Sequence, residues 1–351
     1  MQRRLGVLAM TPIPLIRTSS ILPMLGFLER IGAPVERCLQ EIGLPISTAT
    51  DPETLIPIYS AFTFIEKMAR REGIDHLGIV VSQQVEFRDM GSLPMLVLQS
   101  LTLYEAIATI SRLVTTTYNS GARVWLTQQQ DLAWLNHQFL NPAQVNNQQS
   151  QYFTCLTYLK LIQMVAGPAW QPAALHMQAE PLPGLTDHPL FGTTQVRFNQ
   201  PHNAIAFPKK LLSLPLQHLK SRDRQPDPGN LYQQIQTNPP ASDLAGSLQQ
   251  LIQLLLTDRS LNIHVVAAAT GSSIRSFQRE LAAHNLSYSR LVDKVRFDLA
   301  VKRLLNTPLP ITEIAYDLGY TDVANFTRAF KRWAGVSPRE FRHQHQAKFS
   351  Q

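Results

Sequence analysis

Asn325, Arg328 and Arg332 lie three and four residues apart, so a helix across them carries all three on one face. An asparagine amide matches the edge of adenine and an arginine fork matches guanine or a phosphate. The chemistry open to such a face is therefore hydrogen bonding in a DNA major groove. Val323 and Ala324 fall on the same outward side, while Phe326, Phe330 and Trp333 recur at i, i+4 and i+7 as an apolar stripe opposite. Further upstream, Arg275, Ser276, Gln278 and Arg279 stand in the same relation to a stripe of Phe277 and Leu281. A core helix with a solvated outer face is the competing reading of either segment taken alone.

The elements that must position these residues are legible around them. Ile311, Ile314, Ala315 and Leu318 share one side of a first helix, Gly319 ends it, Tyr320 folds back on the core, and Thr321 is expected to cap the next helix. The upstream copy repeats the plan: the apolar run Val265–Thr270, then Gly271, then Ser273 as cap. Aligning Ala267 with Ala315, Gly271 with Gly319, Ser273 with Thr321 and Phe277 with Phe326 costs one residue of slippage. Each unit has the form of a helix-turn-helix. Between them Tyr288–Leu305 carries Leu291, Val295, Leu299 or Phe297, and Leu304 at helical spacing, a strut of about 27 Å at 1.5 Å per residue. Such a strut suits two reading helices placed in successive major grooves about 34 Å apart.

These motifs resemble a known family. The run A-x-x-x-G-x-S-x-R-x-F-Q-R from Ala267 to Arg279, the strut, and I-x-E-I-A-x-x-L-G-Y-x-D-x-x-x-F-x-R-A-F-K-R from Ile311 to Arg332 are similar to the DNA-binding domain of AraC/XylS-type transcription regulators. Thr270 departs from the pattern, since the family places an apolar residue before the turn glycine. The segments around Gly78, Gly91-Ser-Leu, Ser100–Ala106 and Thr194–Phe207 resemble the effector domain, labelled arabinose-binding, of one branch of that family. The resemblance implies a promoter-binding activator that senses a small molecule, forms a homodimer, contacts RNA polymerase and works in the cytoplasm. The label does not make arabinose, or any sugar, the ligand.

Length and composition agree with two domains. At 351 residues and 44% apolar, the chain can fill two cores. Residues 242–351 hold 14 Lys+Arg against 9 Asp+Glu, the rest 18 against 16, so the positive charge is concentrated where DNA phosphates would be met. The proline-rich stretch 222–241, with a short helical piece at Leu231–Gln236, reads as a linker. This gives an effector-sensing or dimerisation domain at 1–221, the DNA-binding domain at 242–345, opening near Asp243 with Leu248, Leu251, Ile252 and Leu255 on one face, and a tail at 346–351. The first ten residues read as an unstructured leader: Pro12, Pro14 and Arg17 interrupt the apolar run that a signal peptide needs.

The first domain reads as α+β, a mixed fold, ahead of an all-α second domain. Helices are expected at Ile21–Ile31, Val35–Ile42, Pro57–Arg71, Leu101–Thr115 and Gln148–Val165, a hairpin at Gly121–Leu140, and short strands at Ala174–Gln178, Thr194–Phe198 and Ala204–Phe207. No catalytic signature occurs: there is no G-x-S-x-G, no G-x-x-x-x-G-K-[ST], no G-x-G-x-x-G and no cysteine cluster at zinc spacing. Cys38 and Cys155 are expected as buried thiols. His343 and His345 lie two apart in a polar tail, where solvation outweighs chelation, and His76, His137, His176, His188, His202 and His218 are scattered. No enzyme activity, cofactor or metal is expected. Two functions stay open for the first domain: a small-molecule sensor, or a protein-interaction or dimerisation module with no ligand. A pocket of several hundred cubic ångströms between the hairpin and the Tyr152–Met164 helix would favour the sensor.

Overall fold

The computed structural model describes residues 12–140, 145–181, 192, 194–216, 227–257 and 261–346. Two units result, one spanning Pro14–Pro240 and the other formed by the chain from Ala241 onward together with Pro12 and Ile13. The leader expected at 1–10 and the tail from 347 lie outside the described residues.

In the first unit the order is β1 (Leu15–Arg17), α1 (Leu22–Arg30), α2 (Val35–Glu41), β2 (Leu55–Pro57), α3 (Ile58–Arg71), α4 (Leu77–Gln84), α5 (Ser92–Val97), α6 (Leu103–Leu113), β3 (Ala122–Gln129), β4 (Leu132–Phe139), α7 (Gln148–Ala166), β5 (Ala174–His176), β6 (Gln195–Arg197), β7 (Asn203–Pro208) and α8 (Pro228–Thr237). The mixed α+β reading holds. Strands β1 and β2 form a small antiparallel pair, and a five-stranded sheet runs β3-β4-β7-β5-β6 with only β5 and β6 parallel. The hairpin turns through Gln130 and Asp131, the first taking a φ of +53° so that the strands keep their twist. Helix α7 is buried on most of its faces, which is why it lacks an amphipathic stripe.

Four sequence expectations are corrected here. Pro57 sits in the last position of β2 with ψ 130°, and the helix begins at Ile58, whose N–H bonds the Pro14 carbonyl at 2.9 Å. The helix expected to reach Thr115 gives way at Val114–Tyr118 to a π-helical turn, a widening that recurs at functional sites. Helices α4 and α5 have no counterpart in the sequence reading. Gly78 of α4 explains one of them: a Cβ there would sit 2.1 Å from the Gln149 carbonyl, so glycine permits α4 to approach α7, and the apolar run around it lacks helical periodicity. Finally, the helical piece expected at Leu231–Gln236 runs over Pro228–Thr237 and, instead of standing in a linker, buries Leu231 and Ile235 within the first unit. Its apolar pair at i, i+4 outweighs the flanking prolines.

The second unit is all helical: α9 (Leu244–Thr257), α10 (Ile263–Ala269), α11 (Ile274–Ala283), α12 (Tyr288–Asn306), α13 (Ile311–Asp317), α14 (Val323–Ala334) and α15 (Pro338–Gln346). Asp243 accepts the Gly246 N–H at 2.7 Å at the start of α9, whose Leu248, Leu251, Ile252 and Leu255 are buried. A second core joins α12, α13 and α14 through Ala300, Leu304, Ile314, Leu318, Phe326 and Phe330. His343 and His345 belong to α15 rather than to a polar tail, and His345 stacks on Phe341 at 4.2 Å. Among the described residues no helix is long and apolar enough to cross a membrane, and no cluster of His, Cys, Asp and Glu is suited to a metal ion.

Candidate nucleic-acid interface and effector cavity

Helices α10 and α13 end in the same hydrogen-bonded device. Gly271, at φ +70°, donates to the Ala268 carbonyl at 2.9 Å and Ser272 to Ala267 at 3.1 Å. Gly319, at φ +76°, donates to Tyr316 at 3.0 Å and Tyr320 to Ala315 at 3.0 Å. Both are Schellman closures, and they require a left-handed residue that glycine adopts without strain. Thr270 fits despite its polarity, because its hydroxyl donates back to the Ala267 carbonyl at 2.7 Å. Arg296 of α12 holds the second turn by donating to the Leu318 carbonyl at 3.1 Å and lying over the Tyr320 ring at 4.9 Å.

The reading helices start differently from the sequence expectation. Ser273 caps α11, accepting the Ser276 N–H at 3.3 Å, but α14 is capped by Asp322 and not Thr321: its carboxylate accepts the Asn325 N–H at 2.7 Å. A cap oxygen must reach the third helical N–H, and Asp322 stands at that distance. The one-residue slippage between the copies therefore falls in the second turn. With Ser273 matched to Asp322, the inward phenylalanine follows four residues later in both, Ser276 takes the place of Asn325, and Arg279 that of Arg328.

Outward, Asp322, Asn325 and Arg328 form a chain. The Asn325 amide donates to the second Asp322 carboxylate oxygen, and Arg328 donates to Asn325 Oδ1 at 2.5 Å. Ala324, Asn325 and Arg328 are exposed, as are Arg275, Gln278 and Arg279 on α11, while Ser276 is half-buried and turned toward its cap. Val323 does not share this face, since it packs against the second core, and Trp333 is only half-buried, edge-on to Phe297. Arg332 is exposed but reaches back to Asp293 of α12 at 3.4 Å. Arg303, paired with Asp317, and Arg342, bonded to the Leu309 carbonyl at 2.7 Å, spend their charge on holding the unit together.

The first unit holds a cavity that sequence reasoning did not locate residue by residue. Space free of protein atoms amounts to about 820 Å³, the open mouth included. Its walls come from the segment after β1, from α1, α3, α5, α6 and α7, and from the hairpin; Met24, Phe62, Met90, Val114, Phe139 and Phe153 are representative. His137 lies on this wall, 3% exposed, with its ring 4.6 Å from Phe139 and 5.8 Å from Tyr158. Desolvation depresses its pKa to about 3, so the imidazole is neutral. Asn203 Oδ1 accepts the Gln178 N–H at 2.7 Å, so its amide nitrogen faces His137 Nδ1 at 3.4 Å as donor. The proton of His137 is thereby placed on Nε2. Burial also pushes Tyr118 up to about 12 and Tyr158 upward, leaving both phenols un-ionised.

A family model described as "Arabinose-binding domain of AraC transcription regulator, N-term" matches residues 32–216, and one described as "Helix-turn-helix domain" matches 266–344. The chain belongs to the AraC family of transcription regulators. It is 37% identical over 101 residues to the HTH-type transcriptional regulator VqsM of Pseudomonas aeruginosa, covering 28% of this chain and 31% of VqsM. It is 30% identical over 156 residues to the ornithine utilization regulator of the same organism, covering 44% of each protein. Over 88% of this chain and 91% of the relative it is 25% identical to a Mycobacterium tuberculosis protein described as "Uncharacterized HTH-type transcriptional regulator Rv1395". The match thus spans less than half the length of the first two. The relatives and matched domains are those of DNA-binding regulators and not of enzymes.

One further feature of this AraC-family regulator had no sequence signal beyond an arginine in an apolar strand. Arg17 of β1 is 1% exposed, and its guanidinium makes four hydrogen bonds to backbone carbonyls and one ion pair. Nε donates to the Thr117 carbonyl of the π-helical turn at 2.7 Å, Nη1 donates to the Glu53 carbonyl at 2.8 Å and is ion-paired with the Glu53 carboxylate at 3.0 Å, and Nη2 donates to Ile235 and Asn238 at the end of α8 at 2.7 and 3.2 Å. Its neighbours Ile16 and Tyr118 line the cavity. Desolvation lowers the guanidinium pKa, with Glu53 opposing that shift.

Proposed function

We propose that this DNA-binding regulator is ligand-responsive: α11 and α14 read successive major grooves of promoter DNA, and the first unit senses a small molecule in its cavity. The observation that carries the reading is the chain of contacts from the cavity wall through Arg17 to the end of α8, after which only Pro239 and Pro240 precede the second unit. A ligand that binds one arrangement of the wall more tightly than another shifts the population of arrangements at that terminus, which is what an effector response requires. The residues assigned to base and phosphate contact are Arg275, Gln278, Arg279, Ala324, Asn325 and Arg328, with Ser276 and Arg332 at the margins of the two faces. Activation through RNA polymerase and a cytoplasmic site of action belong to the same proposal.

Homodimerisation is supported by an apolar patch on the first unit. Leu101, Tyr104 and Leu214 are exposed side by side, the two backbone stretches being tied by Leu103 to Leu214 and Leu216 to Leu101 hydrogen bonds. The test of the whole reading is selection of duplexes from a random pool by the full chain, followed by sedimentation. An enriched sequence bound by a dimer is expected. Binding without sequence preference, or a Leu101→Glu variant that stays as dimeric as the parent, would count against it.

A further inference from the structure

The family label points to a sugar, and one relative is named for ornithine; the cavity wall fits neither. None of its lining residues is Lys, Arg, Asp or Glu. Its titratable members, His137, Tyr118 and Tyr158, are neutral near pH 7 for the reasons of burial given above. Three of its small polar groups are engaged with the protein, since Thr157 donates to the Phe153 carbonyl at 2.8 Å, Ser20 to the Arg17 carbonyl at 2.7 Å, and Asn119 accepts the Gly121 N–H at 2.9 Å, while the buried Tyr118 hydroxyl is one of a few uncharged groups open to a ligand. Arg17, the nearest buried cation along the chain, is not among the lining residues and is committed to Thr117, Glu53, Ile235 and Asn238.

An ionised ligand entering such a space loses its hydration and meets no opposite charge, and a polyhydroxylated one loses water bonds at several oxygens for few replacements. An apolar body loses nothing comparable and gains contact with Met24, Phe62, Met90 and Phe139. We propose that the effector is an uncharged, mainly apolar small molecule carrying an isolated oxygen acceptor, held against the His137 Nε2–H. This rests on the ligand-responsive reading and adds to it the site and the chemical class. Sugars, amino acids and free carboxylates are then poor ligands.

Met24 and Met90 supply reporters inside the wall. Full-length protein labelled with carbon-13 at its methionine methyls, with Met24→Leu and Met90→Leu assigning the two signals, is titrated with 1-octanol, octanoate, L-arabinose and L-ornithine, each up to its solubility. Octanol is expected to shift both signals saturably and to bind about tenfold or more tighter than octanoate, whose tail is similar but whose head is charged. Arabinose and ornithine should shift neither. Ala61→Leu, which fills the space from α3, should abolish the octanol shifts in a chain with a normal melting curve. His137→Phe should weaken octanol while leaving toluene unchanged, and it serves if Ala61→Leu fails to fold. Equal affinity for octanoate, or a response to arabinose or ornithine, would overturn the chemical class and leave ligand sensing intact. Silence of both methyls to every probe would overturn the cavity as the site. Whether sensing itself fails is read separately, from operator affinity measured with and without each probe.

Discussion

Arg17 Nη2 lies 2.7 Å from the carbonyl oxygen of Ile235, joining two residues more than two hundred positions apart in sequence. The contact ties the strand that opens the first unit to the helix that closes it. Because Arg17 also meets Thr117 and Glu53, its removal leaves several carbonyl acceptors without their donor and the Glu53 carboxylate without its counter-charge.

Arg17→Met should therefore destabilise the first unit by about 3–5 kcal/mol, the usual result of breaking a buried ion pair from one side. Arg17→Lys should recover little, since a single ammonium cannot reach acceptors spread around a planar fork. Denaturant unfolding of the full chain measures both. A loss below about 1 kcal/mol, the worth of an exposed pair, would show that these bonds are not held in solution.

His137 sets a pH dependence with a definite sign. Its folded pKa of about 3 lies below its ordinary value of 6.5, so between those values the unfolded chain binds a proton that the folded chain refuses. Stability is complete above pH 6.5 and falls as pH drops toward 3, at up to about 1.4 kcal/mol per pH unit. Glu66, whose pKa burial raises, works in the opposite direction at the acid end. The measurement is thus a difference: His137→Phe should flatten the decline between pH 6.5 and 5 relative to the parent. Parallel stability curves would contradict a buried neutral imidazole.

A fragment from Ala241 to His345 should bind duplex DNA without the first unit and show no effector response. Log K against log salt should have a slope of about −0.9 per phosphate contact. Should the fragment fold yet ignore DNA at low salt, the reading of α11 and α14 as DNA-contacting helices would fail. A fragment that keeps effector dependence would mean that sensing lies elsewhere.

The second unit was legible in the sequence because its determinants are local. Gly271 and Gly319 mark turns that need positive φ, and Phe277, Phe326 and Phe330 repeat with the helical period. The cap of α14 was misplaced by one residue because Thr321 and Asp322 are both good cap formers, and only geometry decides which oxygen meets the Asn325 N–H. The first unit was less legible. Its cavity draws residues from many separate elements, and its wall has the composition of a core. One signal was present: the alternation of Ala133, Leu135, His137 and Phe139 along β4 places the histidine on the buried face. The role of α8 was hidden by the prolines around it, although Leu231 and Ile235 stand one helical turn apart.

The central claim is that the outward face of α14 reads DNA while its inner stripe holds the fold. The most direct measurement pairs denaturant unfolding with binding to the selected operator and to a random-sequence control, for Asn325→Ala, Arg328→Ala and Phe330→Ala. The first two should unfold like the parent and lose about 1–3 kcal/mol of specific binding, with the control little changed. Phe330→Ala should lose about 3–5 kcal/mol of stability, as expected for a fully buried aromatic. If Arg328→Ala instead unfolds the domain, or binds the operator as tightly as the parent does, the face assigned to DNA is the wrong one.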